Sequence, residues 1–330
     1  MKKSYYIFSS GEITRKDNTI RYTNSSGDKK DLPIENIDEI YFMSQINLNS
    51  SFLNLMSKNQ IVLHFFNYYS QYIGSFYPRE KMLAGQLLVK QVEFYQNEEK
   101  RLYISKKIIT AASYNIYRNL RYYNGRGKKV EQQMKRIDEL RKELDNVKSV
   151  QEVMGIEGNI RKEYYSAWQT IIDQDIDFEK RVKHPPDNMI NSLISYVNSI
   201  IYSKTLTEIY KTQLNPTISY LHEPGVRRFS LCLDLSEIFK PLIGDRVIFS
   251  LLNRKQITED SFDKELNYLH LKKKDSQIVM QEIDNCLNRT IMHKDLNRKV
   301  SYQYLIRLEA YKMIKHIMGE KEYEGFQIWW

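Results

Sequence analysis

Glu157 is the first of several side chains in this sequence whose surroundings suggest chemistry. It stands between Gly155 and Gly158 in a segment that a capping box, Ser149 to Glu152, predicts to be a helix. Each glycine inside a helix costs about 1 kcal/mol relative to alanine, so we expect another backbone or a ligand to come close beside Glu157. The alternative is a helix that crosses a neighbour tightly, with Glu157 directed at water.

A second candidate is His222, which is followed closely by Pro224 and Gly225. This proline and glycine predict a loop at the end of a long helix. From a loop, a neutral imidazole can reach a metal ion or a phosphate group. The alternative is a histidine that is only hydrogen-bonded.

Asp234 and Glu237 form a third candidate, because they lie three residues apart in an apolar segment. On a helix these two carboxylates share a face. A buried carboxylate without a partner is costly, so a divalent metal ion or an arginine should accompany them. The arginines that could fill this purely structural role are Arg227, Arg228 and Arg246.

A basic stretch covers residues 101–130, which hold eight lysines and arginines, no acidic residue and five interleaved tyrosines. Basic side chains bind phosphates, and tyrosines can stack on bases. We predict that this stretch contacts the backbone of a nucleic acid, chiefly through Arg118, Arg121 and Arg126, because arginine pairs with phosphate in a fork. Arg227 and Arg228 are further candidates for binding nucleic acid. The alternative is a solvated basic face over a tyrosine-rich core.

The distribution of charge favours a polyanionic partner for the later part of the chain. Lys and Arg number 50 against 41 Asp and Glu, which gives a net charge of +9. Residues 1–80 contain 9 basic and 8 acidic side chains, so nearly all of the surplus lies in residues 81–330. This imbalance is typical of nucleic-acid binding, although many other proteins share it.

The composition predicts a folded protein of a reducing compartment. Of the 330 residues, 42% are hydrophobic and only 7 are proline, which excludes collagen-like and disordered classes. Two cysteines are too few for a disulfide framework or a four-thiolate site. Because there is no apolar signal core and no apolar run of about 18 residues, we expect a cytoplasmic protein that is not embedded in a membrane.

The residue patterns predict an α+β protein with two domains. Short β-branched and aromatic runs at residues 5–8, 19–22, 37–42 and 61–66 predict a small β-rich domain over residues 1–77. After Tyr77-Pro78 the period becomes helical, so residues 78–83 are expected to be a linker and residues 84–330 a large, mostly α-helical catalytic domain.

The candidate segments occur in an order that resembles a known family. They run Met154-Gly155-Ile156-Glu157-Gly158-Asn159, then Pro185-Pro186 with Asn191-Ser192-Leu193-Ile194-Ser195-Tyr196, then Leu221-His222, then Leu233-Asp234-Leu235-Ser236-Glu237-Ile238-Phe239-Lys240-Pro241. This order resembles the CRISPR-associated endonuclease and integrase family known as CRISPR-associated protein 1. The resemblance extends over nearly the whole chain.

The resemblance implies a metal-dependent DNA endonuclease and integrase of CRISPR adaptation, which inserts new spacers by attack of a 3′-hydroxyl on a phosphodiester. It implies that Glu157, His222 and Glu237 hold Mg²⁺ or Mn²⁺ and that Asp234 supports the site. One imidazole with two carboxylates shifts the preference toward Mn²⁺ without excluding Mg²⁺. Two alternatives remain, a non-catalytic DNA-binding scaffold protein and a different metal-dependent nuclease.

The partners implied by the resemblance are double-stranded DNA, comprising the protospacer and the CRISPR repeat, and the second small CRISPR-associated protein of the adaptation complex. A homodimer is also expected, formed mainly through the first domain, which resembles the family's dimerisation module. Its net charge of only +1 favours self-association there.

Overall fold

The computed structural model describes residues 2–80, 82, 84–176, 178, 181–182, 186, 188–225, 229–265 and 268–329. Helices account for 54% and strands for 18%, with a β-rich region first and a mostly helical part after it. The predicted α+β class is therefore confirmed. The chain forms two compact units, Met1–Lys81 with His270–Gln277, and Met82–Leu269 with Ile278–Trp330.

In the first unit, the described residues of the early part of the chain form two four-stranded sheets and the helix α1 (Ser50–Lys58). Its strands are β1 (Lys3–Ile7), β2 (Gly11–Lys16), β3 (Thr19–Asn24), β4 (Lys29–Pro33), β5 (Ile37–Phe42), β6 (Ile46–Leu48), β7 (Val62–Phe66) and β8 (Tyr72–Phe76). One sheet has the order β1-β5-β7-β8, in which only the β7–β8 pair is antiparallel. The other has the order β4-β3-β2-β6, in which only the β2–β6 pair is parallel.

The core of the first unit is built around β5 and β7, whose residues are nearly all buried, as is typical of central strands that are covered on both faces. Ile13, Ile20 and Ile40 are fully buried in it, together with Phe52 of α1. The predicted strands at 5–8, 19–22, 37–42 and 61–66 correspond to β1, β3, β5 and β7 within one or two residues.

The second unit is largely helical. Its first helices are α2 (Gly85–Gln96), α3 (Glu98–Asn124), α4 (Glu131–Glu143), α5 (Val150–Ser166), α6 (Trp168–Ile171), α7 (Met189–Tyr210), α8 (Ser230–Phe239) and α9 (Arg246–Asn253). The strands β9 (Phe262–Glu265) and β10 (Tyr268–Leu271) and the helix α10 (Lys273–Asn288) follow in the chain. The antiparallel pair β11 (Thr290–His293) and β12 (Arg298–Ser301) precedes α11 (Tyr302–Ile317).

A wide π-helical turn, Lys240–Asp245, joins α8 to α9. Pro241 has no N–H for a helical hydrogen bond, and Gly244 lies so close to α7 that an added Cβ would come within 2.7 Å of Ile201 Cδ1. Turns of this kind are rare in proteins, and those that do occur are often found at functional sites.

Two buried asparagines of α3 bind backbone carbonyl groups just before this turn and within it. Asn115 Nδ2 donates to the carbonyl oxygen of Ile238 at 3.2 Å, and Asn119 Nδ2 donates to that of Pro241 at 2.7 Å. Arg246 Nε in turn donates to Asn119 Oδ1 at 2.8 Å. Because both amides are buried and hydrogen-bonded, they fix the backbone that leaves α8.

No helix in the described part of the chain is long and apolar enough to cross a membrane. The domain ranges 1–77, 78–83 and 84–330 stay predictions from the sequence. The pattern did not indicate that His270–Gln277 would group with the first unit.

Candidate active site

Glu157 lies on α5, which begins as the sequence predicts. Ser149 is the N-cap, and its hydroxyl accepts a hydrogen bond from the backbone N–H of Glu152 at 3.2 Å. An added Cβ at Gly155 or at Gly158 would meet nothing within 4 Å outside the helix. The expectation of a neighbouring backbone beside Glu157 is therefore wrong, and the two glycines leave an open surface there.

Arg161, one helical turn after Glu157, joins this acid to Glu237 on α8. Its Nε donates to Glu157 Oε1 at 3.1 Å, and its Nη2 donates to Glu237 Oε2. The two carboxylates, 80 residues apart in sequence, are thus held by one guanidinium group. Arg161 itself is nearly buried, with 12% of its side chain exposed.

Glu237 also receives a hydrogen bond from Lys240 Nζ, so two cations surround one buried carboxylate. Burial alone would raise the pKa of Glu237, but the charges of Lys240, Arg161 and His222 outweigh it and lower the pKa to about 2. Glu237 is therefore ionised at neutral pH. Among the described residues its cationic partners are Arg161 and Lys240 rather than Arg246, which binds Asn119. The other two expected arginines, Arg227 and Arg228, lie outside the described residues.

Asp234, on the preceding turn of α8, is fully buried and binds the loop that carries His222. Its carboxylate accepts the backbone N–H groups of Tyr220, Leu221 and His222 at 2.6, 2.9 and 3.0 Å. It is also 2.8 Å from His222 Nδ1, and an ionised carboxylate can only accept in that contact. This contact fixes the orientation of the imidazole and leaves Nε2 as the ring nitrogen that Asp234 does not bind.

His222 is electrostatically linked to Glu237 as well as to Asp234. Burial lowers the pKa of His222, but the hydrogen bond to Asp234 and the charges of both carboxylates raise it above its usual value. The same interaction lowers the pKa of Glu237. The structure thus joins Glu157 and Glu237 directly through Arg161, whereas His222 is bound to Asp234 and acts on Glu237 only through its charge.

This network does not form a ready metal cage. Within the described ranges, no three His, Cys, Asp or Glu side chains are arranged to hold one ion. Arg161 and Lys240 occupy oxygen atoms of the carboxylates instead. Convergence of the three ligands on a single ion stays a prediction.

Three members of the network were missed in the sequence analysis, namely Arg161, Lys240 and Asp245. The spacing of Glu157 and Arg161 is that of an i, i+4 ion pair on a helix, and Glu237 and Lys240 have the i, i+3 spacing. Asp245 carries no such signal. It is buried at the end of the π-helical turn, where Oδ2 has no hydrogen-bond partner among the described residues, and burial raises its pKa to about 6.

The basic stretch has two different parts. In its first part, acids from distant segments neutralise the cations, since Arg101 binds Glu223 and Lys107 binds Glu324. In its last part, Arg118, Arg121 and Arg126 line a groove of about 1150 Å³ in the second unit. The stretch is therefore not one uniform basic face.

Comparisons with known proteins identify the family of this chain. Residues 5–285 match the family described as CRISPR associated protein Cas1. The chain is 61% identical over 330 residues to CRISPR-associated endonuclease Cas1 of Fusobacterium nucleatum subsp. nucleatum, covering 100% of this chain and 98% of that protein.

Solved structures extend the comparison to the fold. A CAS1 protein from Thermotoga maritima matches with a TM-score of 0.88 and 37% identity, over 98% of this chain and 100% of that one. A casposase bound to integration product matches with a TM-score of 0.84, over 98% of this chain and 92% of that one. Because the two sequences are only 21% identical, this match shows a similar fold and no more. The family match over residues 5–285 and the 61% identity to the Fusobacterium nucleatum protein show that the chain belongs to the CRISPR associated protein Cas1 family.

Proposed function

We propose that the protein is a divalent-metal-dependent DNA endonuclease and integrase of CRISPR adaptation. The observation that carries the proposal is the network in which one guanidinium, that of Arg161, joins Glu157 to Glu237 while His222 acts electrostatically on Glu237. These acids and the imidazole come from three separate segments. Membership of the Cas1 family supports an endonuclease.

The chemistry of the donor set fits a hard divalent ion. Two carboxylates and one imidazole suit Mn²⁺ and are compatible with Mg²⁺. Glu157, Glu237 and Nε2 of His222 would hold the ion, which when bound supplies polarisation of the scissile phosphate and stabilises charge on the leaving oxygen. Asp234 keeps His222 oriented and fixes its tautomer.

Arg161 and Lys240 have a second role in this proposal. In the structure they neutralise Glu157 and Glu237. If a bound ion took over that role, both cations would be available for phosphate oxygens of the DNA, and arginine can bind phosphate through two parallel hydrogen bonds.

The nucleophile decides the outcome of the reaction. With a DNA 3′-hydroxyl, attack on the phosphodiester joins a new spacer to the repeat. With water, the same attack cleaves the strand. The bare surface left by Gly155 and Gly158 gives the DNA backbone room to approach Glu157 closely.

The partners proposed are double-stranded DNA, a second copy of this chain and the small second protein of the adaptation complex. The basic groove supports DNA as a partner. The low net charge of residues 1–80 supports self-association through the first unit. The second small protein is proposed from family membership.

A strand-joining assay tests the function directly. A labelled duplex is incubated with a repeat-bearing plasmid and Mn²⁺, using the wild type and the Glu157→Ala, His222→Ala and Glu237→Ala variants. Each variant is expected to lose joining and cleavage but to bind DNA nearly normally, because affinity resides in the basic surface. Asp234→Ala is expected to reduce catalysis less.

The alternatives give different results in the same assay. A non-catalytic scaffold binds DNA without joining or cutting it. A different metal-dependent nuclease cuts without joining. If Glu157→Ala and His222→Ala joined strands at the wild-type rate, the proposed site would be wrong.

A further inference from the structure

The segment that follows α11 is irregular but buried. Residues 322–329 form neither a helix nor a strand, yet Tyr323 and Ile328 are fully buried and Phe326 is nearly so. Buried backbone groups need hydrogen-bond partners, and a segment outside a sheet must find them on side chains. We name residues 323–328 the strap, because side chains of α3 and α11 bind them.

Asn115 of α3 binds the strap as a neighbouring strand would. In its buried side-chain amide, Oδ1 accepts the N–H of Ile328 at 3.0 Å and Nδ2 donates to the carbonyl oxygen of Phe326 at 2.9 Å. These are the two kinds of hydrogen bond that a peptide group forms in a sheet. The same Nδ2 donates at 3.2 Å to the carbonyl oxygen of Ile238, the residue after Glu237. One side chain thus connects the strap to the backbone beside a proposed metal ligand.

Glu309 of α11 fixes the start of the strap. Oε1 of its buried carboxylate accepts the hydroxyl of Tyr323 at 2.7 Å and the backbone N–H of Phe326 at 3.2 Å. Lys312 Nζ lies 2.7 Å from the other oxygen and compensates the buried charge. Because release of the strap would leave a buried carboxylate with fewer partners, this end is anchored strongly.

Gly325 marks the place where the strap lies closest to α3 and α8. An added Cβ there would lie 2.5 Å from Ala111 Cβ and 2.9 Å from the carbonyl oxygen of Lys107, both on α3. It would also lie 3.4 Å from Cδ1 of Ile238 on α8. Because glycine has no Cβ, the strap packs directly on both helices.

Two further strap residues act on α8, before and after Glu237 in the sequence. The ring of Phe326 stacks on that of Phe239, the last residue of α8, with centroids 6.3 Å apart. Burial raises the pKa of Tyr323 well above its usual value, and the charge of Asp234 raises it further, so this ring lies within electrostatic reach of Asp234. The strap therefore acts on the part of α8 that carries both acids.

We propose that the strap positions the acids of α8 for a metal ion and that Asn115 is the positioning residue that connects the two. The proposal rests on the proposed function, since that function assigns Glu237 to an ion and gives Asp234 the orientation of His222. Side chains that act together in a site must be held to within about 0.5 Å. The end of α8 borders a π-helical turn, where the regular ladder of helical hydrogen bonds is interrupted, so its position depends on contacts from outside the helix.

A strap that only stabilises the fold would pack on α8 as well. The two roles differ in what a displaced strap changes. A structural strap affects the stability of the unit, whereas a positioning strap also affects the binding of the ion and the rate of the reaction, without affecting the affinity for DNA.

Two variants displace the strap without changing a charged side chain. Gly325→Ala forces the strap away from α3, and Asn115→Leu removes three hydrogen bonds with little change in side-chain volume. The control is Gln174→Leu, because the Gln174 amide donates to two backbone carbonyl groups in another part of the same unit, at 2.6 and 2.9 Å. Tyr323→Phe, which removes one hydroxyl and keeps the ring, replaces Asn115→Leu if that variant does not fold.

Hydrogen exchange on the whole chain reports the local freedom of α8 and needs no metal ion. In both strap variants, the amides of residues 235–239 are expected to exchange about tenfold faster, while those of α10 exchange as in the wild type. Gln174→Leu should leave the exchange of residues 235–239 unchanged.

The ion and the reaction are measured separately. Titration calorimetry with Mn²⁺ in the absence of DNA should show binding that is about tenfold weaker in both strap variants, because the proposed ligands are less well positioned. Strand joining over a range of DNA concentrations should show a kcat lowered about tenfold and an unchanged KM for DNA, since the affinity resides in the basic surface. Gln174→Leu should match the wild type in both measurements.

Unchanged exchange of residues 235–239 in both strap variants would overturn the proposal that the strap fixes α8. Faster exchange with the Mn²⁺ affinity and kcat of the wild type, or losses equal to those of Gln174→Leu, would overturn the positioning role. If the wild type itself neither bound Mn²⁺ nor joined strands, the proposed function would be wrong, and hydrogen exchange would still decide whether the strap fixes the helix.

Discussion

The guanidinium of Arg161 on α5 binds the carboxylate of Glu237 on α8, across 76 positions of the chain. It also binds Glu157, so a single cation lies between the two acids that the proposed function assigns to a metal ion. In that proposal Arg161 would compete with the ion, so its removal should affect metal binding and stability in opposite directions.

Arg161→Gln is expected to lower the free energy of unfolding of the metal-free protein by about 3 kcal/mol, because buried Glu237 loses one of its two cations. Mn²⁺ should bind this variant about tenfold more tightly, since a positive charge no longer opposes it. Thermal unfolding and titration calorimetry with Mn²⁺ measure both quantities. Arg136→Gln, on the surface of α4, serves as the control, and an unchanged Mn²⁺ affinity in Arg161→Gln would contradict the idea of competition.

The glycines beside Glu157 give a second prediction. Gly155→Ala and Gly158→Ala should each stabilise the protein by about 1 kcal/mol, because alanine favours the helix and its Cβ meets nothing within 4 Å outside it. Strand joining should nevertheless fall if the DNA backbone passes over this surface. Gly85→Ala, where an added Cβ is equally unobstructed at the start of α2, is the matched control and should leave joining intact. Normal joining by both α5 variants would show that substrate does not approach there.

Asp245 gives a prediction about pH. Burial raises its pKa from 3.8 to about 6. Between about pH 4 and pH 6, therefore, the carboxyl group keeps its proton in the folded protein but has lost it in the unfolded chain. Its contribution therefore makes the fold less stable as pH rises from about 4 to about 6, by about 3 kcal/mol in total.

Asp245→Asn should remove this dependence and should be the more stable protein above pH 6. Denaturant unfolding of both proteins at pH 4 and pH 7 measures the difference. If the difference in unfolding free energy between the wild type and Asp245→Asn were the same at pH 4 and pH 7, a raised pKa of Asp245 would be contradicted.

The proposed dimer can be tested at the edge of the first unit. β8 is the last strand of its sheet, and Ile73 on it is 66% exposed. An exposed apolar side chain on an edge strand favours pairing with another molecule. Ile73→Lys is expected to convert a dimer into a monomer in light scattering, whereas Val89→Lys on α2, where valine is 69% exposed, should not. A dimer that survived Ile73→Lys would place the contact elsewhere.

The fold class could be predicted because its signal is local. The period of the apolar residues changes after Tyr77-Pro78, and the runs that became β3 and β5 are β-branched and bounded by turn residues. The parallel pairing of β1 with β5 and of β5 with β7 could not be predicted in this way, because nothing within one strand specifies its neighbour.

In the candidate site, too, only the local features could be predicted. Asp234 and Glu237 could be recognised as acids that need partners, because they lie in an apolar segment that is expected to be buried. The partners themselves could not be recognised, because Arg161 lies on another helix. For the same reason, the sequence of the basic stretch could not show which of its cations are neutralised. Arg101, for example, binds Glu223, which lies 122 residues away.

The π-helical turn between α8 and α9 has a genetic consequence. Each of its hydrogen bonds spans one residue more than in an α-helix. Loss of a single residue between Pro241 and Gly244 would replace the wide turn with α-helical spacing and so change the backbone that accepts the hydrogen bond of Asn119. An in-frame loss of one codon in this short stretch should therefore be more damaging than many conservative missense changes in it, even though the deletion leaves every charged side chain in the sequence.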